Sequence, residues 1–301
     1  MKVALCFIIS YENSLNKLAI WKQWIKHNAD IINVYFHYDI EKPIEDEWIQ
    51  RHALPKSEIV STSYYHVVPA YLQVMKYALS KDSANTWFVM LTDSCAPIVS
   101  PKKFRHIFFR ENAVSIISWR RAWWNVVIQK RANLRLVPEI YRLGNDPWFI
   151  LTKTDVERCL FFSQERNDLF TLVCRGGLAN ESIFAIILKY VGTLSNVKNE
   201  ITHVCNWTQM SSPTSPYVFR HGNTEENTFI NTAINKHNFA FFARKIDKTF
   251  PDETLMNIIT QNTLNESKYV ATFTILSNFF IVFCSVLLAI QFAEWLVNCR
   301  I

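Results

Sequence analysis

Glycine is scarce in this chain, which has five glycines among 301 residues. Phosphate-binding loops of the Walker A and GxGxxG types need several closely spaced glycines, because the backbone itself must approach the phosphates. Neither motif is present. Recognition of a nucleotide through a glycine-rich loop is therefore excluded, and side chains must meet the charge of any bound diphosphate.

Residue patterns that hold a metal ion are also missing. The seven cysteines include no CxxC pair and no His/Cys spacing of the zinc type, and the chain has no Asp-x-Asp pair for a divalent ion. Glu45 and Glu47 have the spacing of an acidic pair, but they lie in a run that is typical of a solvated helix face. We therefore predict no metal site and no cofactor.

The net charge is modest, at +6, and the basic pairs at 102–103, 120–121 and 130–131 are spread along the chain. This balance suits an anionic small ligand or a negatively charged membrane surface better than a nucleic acid. The 43 aromatic residues could in principle stack on bases, but most lie inside apolar strands and are interpreted as core. We predict no nucleic-acid partner.

One long uncharged run is present, at 270–293 near the C-terminus. As a helix it would be about 36 Å long, enough for a bilayer core of about 30 Å. We predict a single-pass transmembrane helix at 269–297, joined to the rest of the chain by a polar connecting segment at 249–268, and hence a lipid membrane as a partner. A buried core helix is the alternative, and the side of the membrane is left open.

Residues 1–248 alternate between short apolar runs and segments of helical period, which predicts an α/β domain. Helices are predicted at 68–79 and 229–236, and three further helix starts are marked by a residue that can accept a hydrogen bond from the helix backbone: Asn13 or Ser14, Thr154 and Asn180. The predicted strands are 3–9, 31–37, 86–92, 114–119, 148–152, 203–207 and 239–242.

Adjacent cations, Arg244 and Lys245, follow the last predicted strand. Ligands of α/β folds bind at strand ends. A planar guanidinium beside an ammonium can clamp a diphosphate. The alternative interpretation is a pair of solvated cations where a strand meets a loop.

Carboxylates also fall at strand ends or helix starts. Glu181 follows the predicted cap Asn180, where the positive end of the helix dipole favours an ionised carboxylate that can accept a proton from a hydroxyl. The alternative is a first-turn Glu that only stabilises its helix. Asp39 and the Asp93-Ser94 turn end two further predicted strands.

Six segments together resemble the successive signatures of the core-2/I-branching β-1,6-N-acetylglucosaminyltransferase and xylosyltransferase family. They span most of residues 1–248, in the family's order. The segments are 34–39 (VYFHYD), 62–72 (TSYYHVVPAYL), 91–97 (LTDSCAP), 146–152 (DPWFILT), 179–184 (ANESIF) and 241–246 (FFARKI).

The resemblance implies a GT-A-like α/β fold with a Rossmann-like mixed sheet. It also implies inverting, metal-independent transfer of GlcNAc or xylose from a UDP-sugar to a glycan or protein hydroxyl. Glu181 is then the general base, and Arg244 and Lys245 hold the diphosphate. The other implied substrate-binding residues are Asp39, which contacts the uracil or ribose, and Asp93, Ser94 and Trp148, which shape the donor and acceptor pockets. A catalytically inactive, membrane-anchored carbohydrate- or nucleotide-binding protein of the same fold is the alternative.

Overall fold

Strands and helices alternate along the chain. A computed structural model describes residues 1–63, 65–212 and 214–263. Its strands are β1 (Lys2–Ile8), β2 (Ile32–His37), β3 (Asn85–Thr92), β4 (Ala96–Pro97), β5 (Trp119–Arg121), β6 (Leu143–Asn145), β7 (Ile150–Thr152), β8 (His203–Val204) and β9 (Phe242–Ala243). Its α-helices are α1 (Leu18–Lys26), α2 (Glu47–His52), α3 (Val68–Lys81), α4 (Pro101–Glu111), α5 (Lys153–Glu165), α6 (Asn167–Cys174), α7 (Ile183–Tyr190), α8 (Thr224–Lys236) and α9 (Asp252–Gln261).

The main sheet has the strand order β2-β1-β3-β7. Strands β2, β1 and β3 are parallel, and β7 is antiparallel to β3. Parallel strands are covered by helices on both faces, which is why β1 reads as an unbroken apolar run and is buried along almost its whole length. The mixed sheet confirms the predicted α/β class and fits a GT-A-like domain.

Two hydrophobic cores lie on opposite faces of this sheet, because successive strand side chains point to opposite sides. Along β1, Val3, Leu5 and Phe7 pack into the core that also receives α1, α4, α8 and α9. Ala4 and Cys6 pack into the other core, with α3, α5 and α7. Burying one large apolar side chain is worth about 1.5–3 kcal/mol, so the alternation of β1 contributes to both layers.

A second, three-stranded sheet has the order β4-β9-β8. Strand β9 pairs antiparallel with β4 and parallel with β8. Because β4 begins shortly after β3 ends, this pairing brings the end of β9 to the end of β3. The contact is direct: the backbone N–H of Ile246 donates to the carbonyl oxygen of Ser94 at 2.8 Å.

Several predicted boundaries are wrong. Helix α1 begins at Leu18 without a side-chain cap, and Asn13 instead has a left-handed φ of 50° in the turn after β1. The cap of α5 is Thr152, whose side chain accepts from the Asp155 backbone N–H, and not Thr154. The segment 114–119 contributes only its last residue to a strand, β5.

The described residues end just after α9, which lies within the segment assigned from sequence to a polar connection at 249–268. Leu255, Ile258 and Ile259 of α9 are buried in the first core, and Met1–Asn262 form one compact unit. The predicted membrane helix at 269–297 lies outside the described residues. No helix within the described part of the chain is long and apolar enough to cross a bilayer.

Candidate functional site

Loops that follow the parallel strands meet at the C-terminal edge of the main sheet. The turn after β1 is the link: the Asn13 side-chain amide donates to the carbonyl oxygen of Asp39 at 2.8 Å, beyond β2. The Asn16 backbone N–H donates to the carbonyl oxygen of Asp93 at 3.0 Å, beyond β3. The Asn16 side chain also donates to the carbonyl oxygen of Ile246 at 2.7 Å. The edge therefore gathers segments that are more than 200 residues apart in sequence.

Arg244 contacts two of the other predicted site residues, Ser94 and Trp148. It follows β9 directly, and its Nη1 donates to the Ser94 Oγ at 3.0 Å. Its guanidinium carbon lies 4.5 Å from the centre of the Trp148 ring, a distance at which a cation is attracted to the aromatic face. Its Nε is buried and has no hydrogen-bond partner among the described residues. Ser94 and Trp148 thus hold the guanidinium in one orientation, and its Nε–H donor is left without a partner among the described residues.

Lys245 is half-buried beside Arg244. Burial lowers the pKa of Lys245, the Arg244 cation lowers it further, and the Asp93 carboxylate opposes both effects. Two neighbouring cations in a half-buried place disfavour each other's charge, and a bound anion reverses that effect. This part of the sheet edge is therefore suited to an anionic ligand.

An aromatic stack lies beneath the Arg244 side chain. The His203 ring centre lies 6.0 Å from that of Trp148 and 5.1 Å from that of Phe242. Burial, followed by the Arg244 cation, holds the pKa of His203 well below its usual range, so the imidazole is neutral. Its Nε2 is buried and has no partner among the described residues. His203 was not singled out from the sequence, because it enters the site only through the pairing of β8 with β9.

Two more charged residues, Arg220 and Asp146, lie near this edge, and neither was assigned a role from the sequence. Arg220 follows Phe219, whose backbone N–H donates to the carbonyl oxygen of Lys245 at 2.8 Å, so a third cation lies on the neighbouring segment. The Nε of Arg220 is 3.7 Å from an Asp247 carboxylate oxygen. Asp146 precedes Trp148 by two residues, and burial raises its pKa while a hydrogen bond from Ser118 opposes the rise.

Glu181 lies in a 3-10 turn, Ala179–Glu181, just before α7. The prediction that Asn180 caps this helix is wrong: Ser182 stands at the N-cap and makes no side-chain cap hydrogen bond. The Glu181 carboxylate instead pairs with the guanidinium of Arg131, which also stacks 4.4 Å from the centre of the Trp124 ring. Fifty residues separate the two partners, so no local sequence signal pointed to this ion pair.

Asn145 connects the Glu181 turn to the segment that carries Trp148. This side chain is almost fully buried. Its Nδ2 donates to the carbonyl oxygen of Asn180 at 2.9 Å, and its Oδ1 accepts from the Ala185 backbone N–H at 3.2 Å. No hydrogen bond or ion pair joins Glu181 itself to the two cations after β9 within the described residues. Asn145 thus joins the turn that carries Glu181 to the segment that carries Trp148, the ring that Arg244 contacts.

Asp39 stands apart from these groups. Its carboxylate accepts from the Glu41 backbone N–H at 3.1 Å and pairs with Lys42 at 3.2 Å, and both contacts lower the pKa of Asp39. The structure brings it to the same edge of the sheet through Asn13. Among the described residues, however, it makes no hydrogen bond or ion pair with the Arg244 group.

The described cysteines and acids form no metal-binding cluster. Within residues 1–63, 65–212 and 214–263, no group of three His, Cys, Asp or Glu side chains could hold a metal ion. The five described cysteines are all free thiols. Burial raises the pKa of the Cys95 thiol close to Arg244, so that thiol stays protonated.

In α/β folds, ligands bind outside the C-terminal ends of the parallel strands, and the cations and aromatic ring gathered at this edge suit an anionic ligand. The model of one family, the core-2/I-branching enzymes, matches residues 4–231, which is well over half of the chain. The chain therefore belongs to the core-2/I-branching enzyme family, a family of glycosyltransferases. Glu181 lies inside the match, and Arg244 and Lys245 lie beyond it. No sequence in a set of curated proteins matches the chain.

Proposed function

We propose that the protein transfers a sugar, GlcNAc or xylose, from UDP to a hydroxyl group of a glycan or protein, with inversion at the sugar carbon. The family supports the reaction class. One observation supports the residue roles: Arg244 contacts Ser94 and Trp148 at the sheet edge. Lys245 follows Arg244, and the segment of Trp148 also supports the turn that carries Glu181.

On the donor side, Arg244 and Lys245 bind the diphosphate and neutralise the charge that grows as UDP leaves. Ser94 and the Trp148 ring fix the guanidinium, so little reorganisation is needed at the moment of transfer. Each hydrogen bond to a charged group is worth about 1.5–3 kcal/mol. Asp39, at the end of β2, contacts the uracil or ribose.

On the acceptor side, Glu181 is the general base. It takes the proton of the acceptor hydroxyl, the hydroxyl oxygen bonds to the anomeric carbon, and the bond from that carbon to the UDP oxygen breaks. One displacement of this kind inverts the configuration. Arg131 fixes the orientation of the Glu181 carboxylate, while the Trp148 ring contacts the Arg244 guanidinium on the donor side.

The proposal assigns the leaving group's charge to side chains and not to a metal. It therefore predicts that a chelator leaves the rate of transfer unchanged. Turnover that is lost with the chelator and restored by a divalent ion would contradict this part of the proposal, while the assignment of Glu181 would be unaffected.

The decisive experiment measures UDP release and sugar transfer by the purified full-length chain over a panel of UDP-sugars. Glu181→Gln is expected to lower transfer by about 10²- to 10⁴-fold, because general-base catalysis contributes that much, while UDP affinity is retained. Glu165→Gln, at the exposed end of α5, is the matched control and should leave transfer unchanged. Transfer by Glu181→Gln within a few-fold of wild type refutes the assignment.

The Arg131 ion pair favours one second candidate, a binding protein that performs no transfer. If the Glu181 carboxylate serves only to pair with Arg131, the chain binds UDP or a UDP-sugar but releases no UDP. Calorimetric binding of UDP together with an absence of turnover for every donor tested is the outcome expected of this candidate.

A further inference from the structure

Basic residues are spread along the chain, but in one stretch, residues 119–142, few acidic residues offset them. We call this stretch the basic segment. It contains six Lys or Arg residues and one Glu, a net charge of +5, against +6 for all 301 residues. The remainder of the chain is nearly neutral. A charge asymmetry of this size indicates a surface that meets something anionic.

The basic segment is attached to the domain through a few buried side chains. Its first residues form β5, which pairs with β6, and Trp124, Leu134 and Val137 pack into the second core. These anchors determine which other side chains of the segment face solvent.

Large apolar side chains of the basic segment remain exposed. Their exposed fractions lie between about half and three quarters: Trp123 48%, Val127 69%, Ile128 77%, Leu136 54% and Ile140 63%. Scattered exposed apolar residues are common, but five within one short segment are a concentration that needs a partner.

Exposed cations lie among these apolar side chains. Lys130 and Arg135 are exposed, and neither has an acidic partner in the described part of the chain. Arg120 stacks 4.1 Å from the centre of the Trp123 ring, so its apolar stem and the ring cover each other. Two cations of the segment are paired: Arg121 with Glu139 inside the segment, and Arg131 with Glu181 outside it.

From this combination we infer that the basic segment docks on an anionic lipid surface. Lys and Arg side chains are attracted to acidic headgroups, while Trp and aliphatic side chains enter the boundary between headgroups and acyl chains. Docking of this kind is independent of the chemistry proposed for the sheet edge and of the apolar run at 270–293.

Two other partners fit the surface less well. Single-stranded nucleic acid stacks its bases on aromatic rings, but Val127, Ile128, Leu136 and Ile140 offer no ring for stacking. A second copy of the chain would bring one net charge of +5 against another, which is repulsive.

Amide hydrogen exchange tests the inference, because it reports on peptides from residues 119–142 separately from the C-terminal residues. The full-length chain is studied with vesicles of phosphatidylcholine alone and of phosphatidylcholine mixed with phosphatidylserine. We expect peptides from residues 119–142 to be protected only by the vesicles that contain phosphatidylserine. We also expect the protection to weaken as salt is added, because salt screens surface charges.

Variants separate charge from apolar contact. Lys130→Gln with Arg135→Gln should lower the docking equilibrium constant, taken from a phosphatidylserine titration, by roughly 30-fold, at about 1 kcal/mol for each cation. Val127→Ser with Ile128→Ser should weaken docking to the same vesicles. Lys56→Gln with Lys236→Gln removes two exposed cations outside the segment and is the matched control, expected to dock like wild type.

Three outcomes overturn the inference. The first is equal exchange of residues 119–142 on both kinds of vesicle. The second is protection that rises with protein concentration in the absence of lipid, which indicates self-association. The third is protection by a single-stranded oligonucleotide without any effect of phosphatidylserine.

Discussion

Replacing Lys17 by Met should destabilise the segment that follows the proposed donor site. The Lys17 side chain is nearly inaccessible to solvent, and its Nζ donates to the carbonyl oxygens of Lys248 and Phe250 and to the Asp252 carboxylate. These acceptors follow Lys245 in the chain, and Asp252 is the first residue of α9. A single buried ammonium group thus ties the turn before α1 to the segment that leaves the sheet edge.

The magnitude follows from what the substitution leaves behind. Met fills a similar volume and removes the cost of burying a charge, but two carbonyl groups and a carboxylate lose their donor. An unpaired buried acceptor costs about 1–3 kcal/mol, and part of that cost is recovered through water at the partly exposed Asp252. We expect a loss of about 3 kcal/mol in the free energy of unfolding. For a domain of this size the midpoint of thermal unfolding then falls by roughly 6–12 °C.

Urea unfolding followed by tryptophan fluorescence measures the change, with Lys22→Met as the matched control. The Nζ of Lys22 lies 2.9 Å from the Asp46 carboxylate at a partly exposed site, where an ion pair contributes about 1 kcal/mol or less. If Lys17→Met costs no more than Lys22→Met, the three contacts of Lys17 do not stabilise the domain and the reasoning is refuted. Hydrogen exchange of residues 244–252 should be faster in Lys17→Met and unchanged in the control.

Three further predictions concern pH, close packing and the support of the base. Burial lowers the pKa of His37 to about 4. The unfolded chain, with a histidine pKa of about 6.5, takes up the proton first as the pH falls. The free energy of unfolding is therefore greatest above a pH of about 6.5 and is lower by about 2 kcal/mol near pH 5. His37→Gln should flatten this dependence in urea titrations, and an unaltered slope would contradict the cause. A Cβ at Gly176 would lie 2.3 Å from the backbone of the 131–133 turn, whereas one at Gly177 would make only ordinary contacts. Gly176→Ala should therefore lower the thermal midpoint and the transfer rate, and Gly177→Ala should change neither. Equal effects of the two substitutions would argue against the close approach at Gly176. Asn145→Ala frees the turn that carries the proposed base, so kcat should fall while UDP affinity is retained, and an equal loss of UDP affinity would indicate a structural role only.

Long apolar runs were predicted well from the sequence. Strands β1, β2 and β3 and helix α3 begin and end within about two residues of the predicted positions. Each of these elements is defined by the periodicity of its own side chains, which depends on local backbone geometry. The adjacency of Arg244 and Lys245 to a strand end was predictable for the same reason, although β9 is much shorter than expected.

The surroundings of Glu181 were not predictable from local sequence. Asn180 is a residue type that commonly caps helices, but here its carbonyl oxygen accepts from Asn145 and the helix begins later. Tertiary contacts overrode a local preference worth about 1 kcal/mol. The choice of Arg131 as the partner of Glu181, and of Lys42 as the partner of Asp39, likewise depended on how loops pack.

The amino-acid sequence by itself determined the α/β class, the absence of a glycine-rich phosphate loop and the concentration of positive charge in residues 119–142, because composition and periodicity are properties of the chain alone. Only the tertiary structure decided that Arg244 rests on Trp148, that His203 stacks beside it and that Glu181 is paired with Arg131. These contacts join residues far apart in sequence, and their formation depends on how strands β8 and β9 and the loops around α7 come together as both cores are buried.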